Sequence, residues 1–453
     1  MELSSGKKKF FILAILLLAA ACTASSYGGS IILPTKLKAI DGMSFYAASS
    51  ALSAMGMMLI LPLLGVLYSK FGKKAVTITG LFLQIVTRIL AIIVVDPTLF
   101  IIIWMFNGLS TGMYMPASYA IMAEVVTTQE RPKYYGLIAT FNALGALIGP
   151  VLVGILVDHG LSSLGFLSYI PLVIIPIIGL FMFYPNQKGK VEKFDFAGVG
   201  LLFMAISCIV VWLSMGGTAF SWVSPIGIAL IAVGIISFIA LIKVELSKEN
   251  PAVPVGMFKK KRFTAVFLCQ MLLTAYAACA AGYAIAYVQQ VMQASAFASS
   301  TITLPQTIVQ AIFGVIIGSF VSKNFIKRFR PMAILALVCY TVAMLIFFLL
   351  KPDTTIFVIY IATALGGIGQ SVSQSSFAPY FQTELEPEEI GTAQAMYTFA
   401  STGGGTIFAA LGGAILSLGF GFNGVFLLGT VFCSVSLLIV LLLFRFKPDE
   451  KLE

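Results

Sequence analysis

Residues 7–34 have the sequence KKKFFILAILLLAAACTASSYGGSIILP, in which three lysines precede a long and almost unbroken apolar stretch. A helix needs about 20 residues to cross roughly 30 Å of hydrocarbon, and this stretch is long enough to do so. It is also longer than the apolar core of a usual secretory signal peptide. We therefore predict that it forms the first membrane-spanning helix.

The composition of the whole chain indicates that lipid is the solvent for much of its surface. Of its 453 residues, 59% are hydrophobic and only 10% are charged, whereas a soluble domain has about 25% charged residues. Apolar stretches of membrane-spanning length occur at 10–34, 44–69, 75–95, 98–122, 134–157, 164–184, 195–216, 223–244, 262–288, 298–323, 330–350, 354–378, 389–416 and 421–446. Each is too long and too uniformly apolar for a barrel strand. The sequence thus predicts an all-α polytopic membrane protein with 14 transmembrane helices.

The basic residues are distributed unequally between the two sides of the membrane. If the N-terminus is cytoplasmic, 24 of the 28 Lys and Arg residues lie in cytoplasmic segments, and Lys36, Lys38 and Lys351 lie outside. Basic residues favour the cytoplasmic side, so this distribution predicts that both termini are cytoplasmic. The net charge of +10 comes from these short clusters, and we therefore expect no nucleic-acid partner.

Few residues are available for metal binding or covalent catalysis. The six cysteines lie inside apolar stretches without C-x-x-C spacing, and His159 is the only histidine. Paired acids or a histidine cluster within the membrane segments are also missing from the sequence. We predict no metal site, no catalytic residues and no cofactor, so the chain is not expected to be an enzyme.

Two short patterns occur twice in the chain, which indicates an internal repeat. Gly65 to Lys70 and Gly318 to Lys323 both fit G-x-x-x-S-K at the end of a predicted helix. Thr140-Phe141 with Gly145 likewise matches Thr398-Phe399 with Gly403. Repeats of this kind are common in secondary transporters. We predict a six-helix bundle over residues 1–190, a linker with two inserted helices over 191–258, and a second six-helix bundle over 259–453.

Two motifs resemble those of the 14-spanner drug:proton antiporter branch of the major facilitator superfamily. The first, a G-x-L-x-D-R-x-G-R-K-like loop, contributes Gly65, Ser69, Lys70, Gly72, Lys73 and Lys74. The second, which is similar to the G-x-x-x-G-P-x-x-G-G motif of antiporters, contributes Gly145, Gly149, Pro150 and Gly154. The resemblance covers nearly the whole chain. It implies a major facilitator fold, a gating role for the first motif, and close packing with a helix bend for the second.

Three positions depart from the pattern of that branch. The family's helix 1 aspartate, loop aspartate and helix 4 arginine correspond to Ser25, Ser69 and Trp104 here. Proton coupling requires a titratable group that both states of a transporter expose, and none of the 18 acidic residues lies clearly at mid-membrane depth. Protons are therefore possible partners, and the coupling ion stays open.

Arg88 is the one strongly intramembrane charge, because it lies seven residues before Val95 at the predicted outer end of its helix. At a rise of about 1.5 Å per residue it is roughly 10 Å deep. It is either an anion contact or a structural anchor, or it reaches to headgroups or backbone carbonyls.

Uncharged polar side chains can bind varied ligands without the cost of a buried charge. Candidates to line a substrate cavity are Ser26, Tyr27, Tyr114, Asn142, Gln270, Tyr276, Tyr283, Tyr287, Gln306, Gln310, Gln370, Gln374 and Tyr397.

The leading functional hypothesis is a secondary active transporter that works by alternating access and exports a hydrophobic or amphipathic small molecule. Export follows from the resemblance to antiporters. One alternative is a uniporter or importer of a small organic solute in the same fold, which the missing membrane acids favour. Another is a membrane sensor that does not transport. We expect a monomer in the lipid bilayer of a bacterial plasma membrane, with a small-molecule substrate.

Overall fold

The computed structural model describes residues 5–185, 195–217, 220–248, 253–294 and 301–444. Six of the predicted cytoplasmic basic residues lie outside these ranges: Lys188, Lys190, Lys193, Arg445, Lys447 and Lys451. The same is true of the first residues of the predicted segment 298–323.

The described residues are almost entirely helical, as predicted. The helices are α1 (Ser5–Ala39), α2 (Tyr46–Ile60), α3 (Leu64–Phe71), α4 (Lys73–Ile93), α5 (Pro97–Tyr114), α6 (Ala117–Val125), α7 (Arg131–Asp158), α8 (Ser162–Leu167), α9 (Ile170–Phe183), α10 (Phe196–Met215), α11 (Pro225–Leu246), α12 (Lys261–Ala278), α13 (Ala284–Gln290), α14 (Leu304–Ser322), α15 (Phe325–Phe348), α16 (Ile356–Gln382), α17 (Ile390–Ser417) and α18 (Gly421–Leu443). A π-helical segment, Cys279–Tyr283, joins α12 to α13.

Breaks within the predicted segments coincide with prolines in two places. Helices α2 and α3 are bent by 55°, and Pro62 lies between them. Pro116 lies between α5 and α6 in the same way. Proline has no backbone N–H to donate and its ring clashes with the preceding turn, so a helix bends or ends there.

The number of membrane crossings is only partly settled by helix length and composition. Among the described residues, 11 helices are long and apolar enough to span a membrane, or 12 if the bent pair α2–α3 counts as one span. Ala197–Leu213 is apolar but shorter. All of the predicted segments contain a described helix, but the count of 14 stays a prediction.

The chain forms two compact units that interleave along the sequence. The first unit takes the described residues of Met1–Val125, Leu144–Met257 and Glu386–Phe399, and the second takes those of Val126–Ala143, Phe258–Leu385 and Ala400–Glu453. The division predicted from the repeat, into 1–190, 191–258 and 259–453, follows chain order instead. It stays a prediction.

In the first unit, the helix pair α10–α11 packs on α2. Met55 and Met58 of α2 are buried in one cluster with Leu202, Ile206 and Leu241 of the pair. A second apolar cluster joins α1, α4, α5, α7 and α8. These clusters hold the helices that carry the first motif, the second motif and Arg88.

In the second unit, aromatic rings fill the space between α15, α16 and the end of α18. The rings of Phe329 and Tyr380 stack with centroids 4.0 Å apart, and Phe444 lies 4.7 Å from Tyr380. Stacked and edge-on rings of this kind stabilise helix packing beyond the area that they bury.

Large apolar side chains also cover the outer surface of the helices. Phe82 of α4 is 67% exposed and Ile236 of α11 is 65% exposed, and many other Leu, Ile, Val and Phe side chains are similarly open. Soluble proteins rarely expose apolar surface on this scale, so this surface fits a lipid environment.

Candidate gating and substrate sites

The first motif forms the loop between α3 and α4. Gly72 has φ = 86°, a backbone conformation that glycine adopts without steric cost. The turn places Lys73 so that its ammonium pairs with the carboxylate of Glu124 at the end of α6. The hydroxyl of Tyr184 donates a hydrogen bond to the other oxygen of Glu124. The loop is therefore tied to α6 and to the end of α9.

Residues of the first motif also contact the start of α17 within the first unit. A Cβ on Gly65 would lie 2.6 Å from Oγ1 of Thr392, and a Cβ on Gly391 would lie 2.8 Å from Cε of Lys73. A side chain at Gly65 would collide with Thr392, and one at Gly391 would displace the Lys73 side chain and press on the ring of Tyr68. The glycines therefore let the Thr392 side chain pack against the backbone of α3, and the Lys73 side chain pack against the backbone of α17.

The remaining members of the first motif lie nearer the surface. Ser69 is half-buried and Lys70 is exposed, with the Lys70 ammonium 5.5 Å from the centroid of the Phe71 ring. The ammonium of Lys74 donates to the carbonyl oxygen of Phe181 at 2.9 Å.

The repeat counterpart of Gly65 makes an equivalent contact in the second unit. A Cβ on Gly318 of α14 would lie 2.5 Å from the carbonyl oxygen of Pro132, near the start of α7. Gly314 is similarly close to Gly136, at 2.6 Å from its carbonyl oxygen. In each case a glycine near the end of one helix meets the first turns of another, as an internal repeat would require.

The glycines of the second motif differ in what they contact. A Cβ on Gly145 would lie 2.2 Å from the carbonyl oxygen of Ala20, and one on Gly149 would lie 2.4 Å from that of Ala24. Both lie against α1. Gly154, by contrast, has nothing within 4 Å of such a Cβ, and Pro150 lies inside the continuous helix α7.

Arg88 is enclosed by α1, α5 and Tyr169, the residue that directly precedes α9. It is 3% exposed, and Nη2 donates to the carbonyl oxygen of Ser25 at 2.9 Å and to its Oγ at 3.1 Å. Its Cζ lies 4.8 Å from the ring centroid of Trp104 and 5.8 Å from that of Tyr169. The hydrogen bond to the Ser25 carbonyl agrees with the predicted alternative in which the guanidinium reaches a backbone carbonyl.

A buried polar network surrounds Arg88, and sequence analysis missed its centre, Gln84. The amide of Gln84 donates to Oγ of Ser25 at 2.8 Å, and its Oε1 accepts from Ser110 and from Thr111. Gln84 precedes Arg88 by one helical turn on α4, and this spacing is the signal that could have shown that the two share a face. The network joins α1, α4 and α5.

The candidate cavity residues of the first unit differ in exposure. Ser26 and Tyr27 of α1 are exposed, Tyr27 to 50%, whereas Tyr114 of α5 is buried. The Ser26 hydroxyl donates to the carbonyl oxygen of Cys22 at 2.9 Å. Tyr397 of α17 lies half-buried in this unit. Of this set, the two α1 residues are the ones accessible to a ligand.

Most of the candidates in the second unit take part in hydrogen bonds between helices. Tyr276 donates to Oε1 of Gln306 at 3.2 Å, and Tyr340, which sequence analysis did not single out, donates to Oε1 of Gln370 at 2.9 Å. The amide of Gln310 donates to the carbonyl oxygen of Ala139, and the hydroxyl of Tyr283 donates to that of Ala409. Tyr287 is buried. The half-buried candidates are Asn142, Gln270 and Gln374. Gln306, Gln310 and Gln370 therefore join neighbouring helices through hydrogen bonds.

The acidic residues of the described helices lie near helix ends. Glu124 and Asp158 are at the ends of α6 and α7, and Glu245 is in the last turn of α11. Glu245, which sequence analysis missed, is 2% exposed and lies beside Asp195, whose carboxylate pairs with Lys248. No group of three or more potential metal ligands occurs in the described part of the chain.

Comparison with known proteins identifies the family. The sequence profile described as Major Facilitator Superfamily matches residues 13–401, and a second match covers 266–453. The chain belongs to the Major Facilitator Superfamily. It is therefore a multi-pass membrane transporter, and the predicted resemblance, fold class and transport function are confirmed at this level.

Similar proteins include two from Bacillus subtilis (strain 168). The chain is 25% identical over 397 residues to the multidrug transporter protein MdtP, a match that covers 87% of this chain and 73% of that protein. It is 24% identical over 380 residues to multidrug resistance protein 3, covering 84% and 73%.

Two solved structures resemble this chain in fold. The human organic anion transporter MFSD10 (TETRAN) has a TM-score of 0.69 at 13% identity, with coverage of 96% of this chain and 99% of that one. A bacterial homologue of the iron transporter ferroportin in its outward-facing state has a TM-score of 0.67 at 13% identity, with coverage of 96% and 98%. These likenesses support the fold.

Proposed function

We propose that this transporter exports hydrophobic or amphipathic small molecules by alternating access across a bacterial plasma membrane, with both termini in the cytoplasm. The observation that carries the proposal is the exposed polar face of α1. Ser26, Tyr27 and Ser30 are exposed near the middle of a 35-residue helix. The Ser26 and Ser30 hydroxyls donate to carbonyls of α1 itself, and the Tyr27 phenol is 50% exposed. We infer that this face borders a polar cavity in which a substrate can bind.

The similarity to two multidrug proteins supports export over import. Those relatives align with more than four-fifths of this chain. The neutral candidates on α1 suit ligands of varied structure, because hydroxyl and phenol groups can donate or accept hydrogen bonds. A tight charge-specific site is not required for such ligands.

The loop around Gly72 is the proposed gate. It holds α17 through Gly65 and Gly391, where a larger side chain would press on its neighbours, and it is braced by the pair of Lys73 with Glu124. Contacts of a glycine backbone with one small or flexible side chain can separate and re-form, because few side chains interlock there. The equivalent contact of Gly318 with Pro132 would serve the same purpose in the second unit.

Three residues of this chain bear on the force that drives transport. Ser25, Ser69 and Trp104 occupy positions where the antiporter branch carries titratable or charged residues. The acids of the described helices lie near helix ends. A uniporter driven by the substrate's own gradient is therefore the second candidate function.

A substrate screen in cells tests the proposal. Cells expressing the wild type are compared with cells expressing Gly149→Leu, which forces a large side chain against Ala24 of α1, and Gly154→Leu, where the space is open. The proposal predicts that the wild type and Gly154→Leu lower the accumulation of one or more amphipathic compounds and that Gly149→Leu does not. Equal accumulation in all three strains for every compound would contradict export.

A further inference from the structure

The buried guanidinium of Arg88 lacks a full counter-charge. Its only described hydrogen-bond acceptors are the carbonyl and hydroxyl oxygens of Ser25, and no carboxylate lies within ion-pair distance of it among the residues that the structure describes. The faces of Trp104 and Tyr169 supply only partial negative charge. A buried ion is ordinarily paired, because desolvation without a partner is costly.

Two donors next to this charge also lack acceptors. Nε of Arg88 and the hydroxyl of Tyr169 are both buried and have no hydrogen-bond partner in the described part of the chain. Guanidinium N–H groups can only donate, and a tyrosine hydroxyl donates readily. The missing partner is therefore an acceptor, and the uncompensated positive charge favours an acceptor that is negatively charged.

The turn of α1 that contacts Arg88 also carries exposed serine side chains. Gly29, one turn after Ser25, is so close that a Cβ there would lie 3.0 Å from Nη2 of Arg88. Its neighbours Ser26 and Ser30 are exposed. Because Gly29 has no side chain, the guanidinium lies directly against the backbone of the turn that carries these exposed serines.

We propose that Arg88, assisted by Tyr169, binds the carboxylate of an anionic amphipathic substrate during transport. A planar carboxylate can accept two parallel hydrogen bonds from Nε and a terminal nitrogen of a guanidinium, which would fill the open donor of Arg88. The inference rests on the proposed transport function and adds a substrate class to it, organic carboxylates. Arg88 would be the specificity-determining residue of this subsite.

The test compares an acid with its neutral isostere. The full-length protein, with Trp212→Phe and Trp222→Phe so that Trp104 is the only tryptophan, is placed in phosphatidylcholine nanodiscs. Binding of 4-phenylbutyrate and of 4-phenylbutyramide is followed by Trp104 emission, because that ring stacks on the guanidinium. The proposal predicts that the acid binds at least about tenfold more tightly than the amide, as expected for a charge-assisted hydrogen bond.

Variants assign the preference to Arg88. Arg88→Gln is expected to abolish the difference in affinity between acid and amide. Tyr169→Phe keeps the aromatic ring and leaves the charge of Arg88 in place, and it is expected to reduce this difference at least about threefold. The control Arg330→Gln removes a guanidinium from α15, where it donates to the carbonyl of Leu441, and is expected to leave the preference intact. If Arg88→Gln does not fold, Tyr169→Phe decides the question.

Three results would overturn the inference. They are equal binding of acid and amide by the wild type, a preference that persists in the Arg88 and Tyr169 variants, and loss of acid binding when phosphatidylglycerol is added, which would mark a lipid headgroup site. After any of these three results, the proposed transport function would still hold if both the wild type and Arg88→Gln transport the neutral amide. Failure to transport either compound would instead count against the proposed function.

Discussion

Lys73 combines two roles in the loop between α3 and α4. Its ammonium pairs with Glu124, and its aliphatic stem lies against Gly391 at the start of α17. The Lys73 and Glu124 side chains are only 12% and 25% exposed, so their pairing is less screened by water than a surface ion pair. Replacing either partner leaves the other charged group partly buried.

A double-mutant cycle on Lys73→Met and Glu124→Gln tests this pairing. Each single change is expected to lower stability by about 1–3 kcal/mol, since a partly buried charged group loses its partner. The double mutant should lose less than the sum, with a coupling of at least about 0.5 kcal/mol. Unfolding in detergent is measured, with the exposed Lys323→Met as control. Strictly additive losses would contradict a direct interaction.

At the scale of whole helices, glycine spacing predicts close packing but does not name the partner. The second motif indicated that α7 packs closely, and the structure places Gly145 and Gly149 on the backbone of α1. Gly154 belongs to the same pattern but contacts nothing within 4 Å. The sequence could not separate these cases, because the distinction depends on where α1 diverges from α7.

Alanine substitutions separate the packed glycine from the free one. Gly149→Ala is expected to destabilise the protein by about 1–3 kcal/mol, because the added methyl group meets the Ala24 backbone. Gly154→Ala is expected to be neutral or to stabilise by up to about 1 kcal/mol, because alanine favours helix. Thermal unfolding of the purified variants measures both. Similar effects at the two positions would contradict the packing described for α7.

Helices were predictable from the sequence where apolar length alone decides them, as for α1, α4 and α18. Breaks at Pro62 and Pro116 follow from proline chemistry, although the apolar stretches hid them, and the π-helical segment Cys279–Tyr283 has no comparable signal. Around Arg88 the sequence indicated the buried charge. Its surroundings include Ser25 of α1 and Tyr169, which directly precedes α9, and only the fold brings them to Arg88.

At the scale of the whole molecule, the charge distribution predicts which ends of the helices face the cytoplasm. His159 follows α7 in a short exposed turn, and Lys327 is exposed near the start of α15. The positive-inside rule places the first outside and the second inside.

Cysteine labelling in intact cells tests that topology. In a variant without the six native cysteines, His159→Cys should react with a membrane-impermeant maleimide added to intact cells. Lys327→Cys should react only after the cells are permeabilised. The reverse pattern would contradict cytoplasmic termini, and labelling of both in intact cells would contradict an orientation in which these two turns lie on opposite sides.

The central claim is that this member of the Major Facilitator Superfamily moves a small molecule across the membrane by itself. The most direct measurement is flux in proteoliposomes of the compound that the cell screen identifies, with and without an imposed pH gradient. The account predicts flux that exceeds that of protein-free liposomes and is lost in Gly149→Leu but kept in Gly154→Leu; a response to the pH gradient would add proton coupling. Flux equal to that of protein-free liposomes under both conditions would contradict the account.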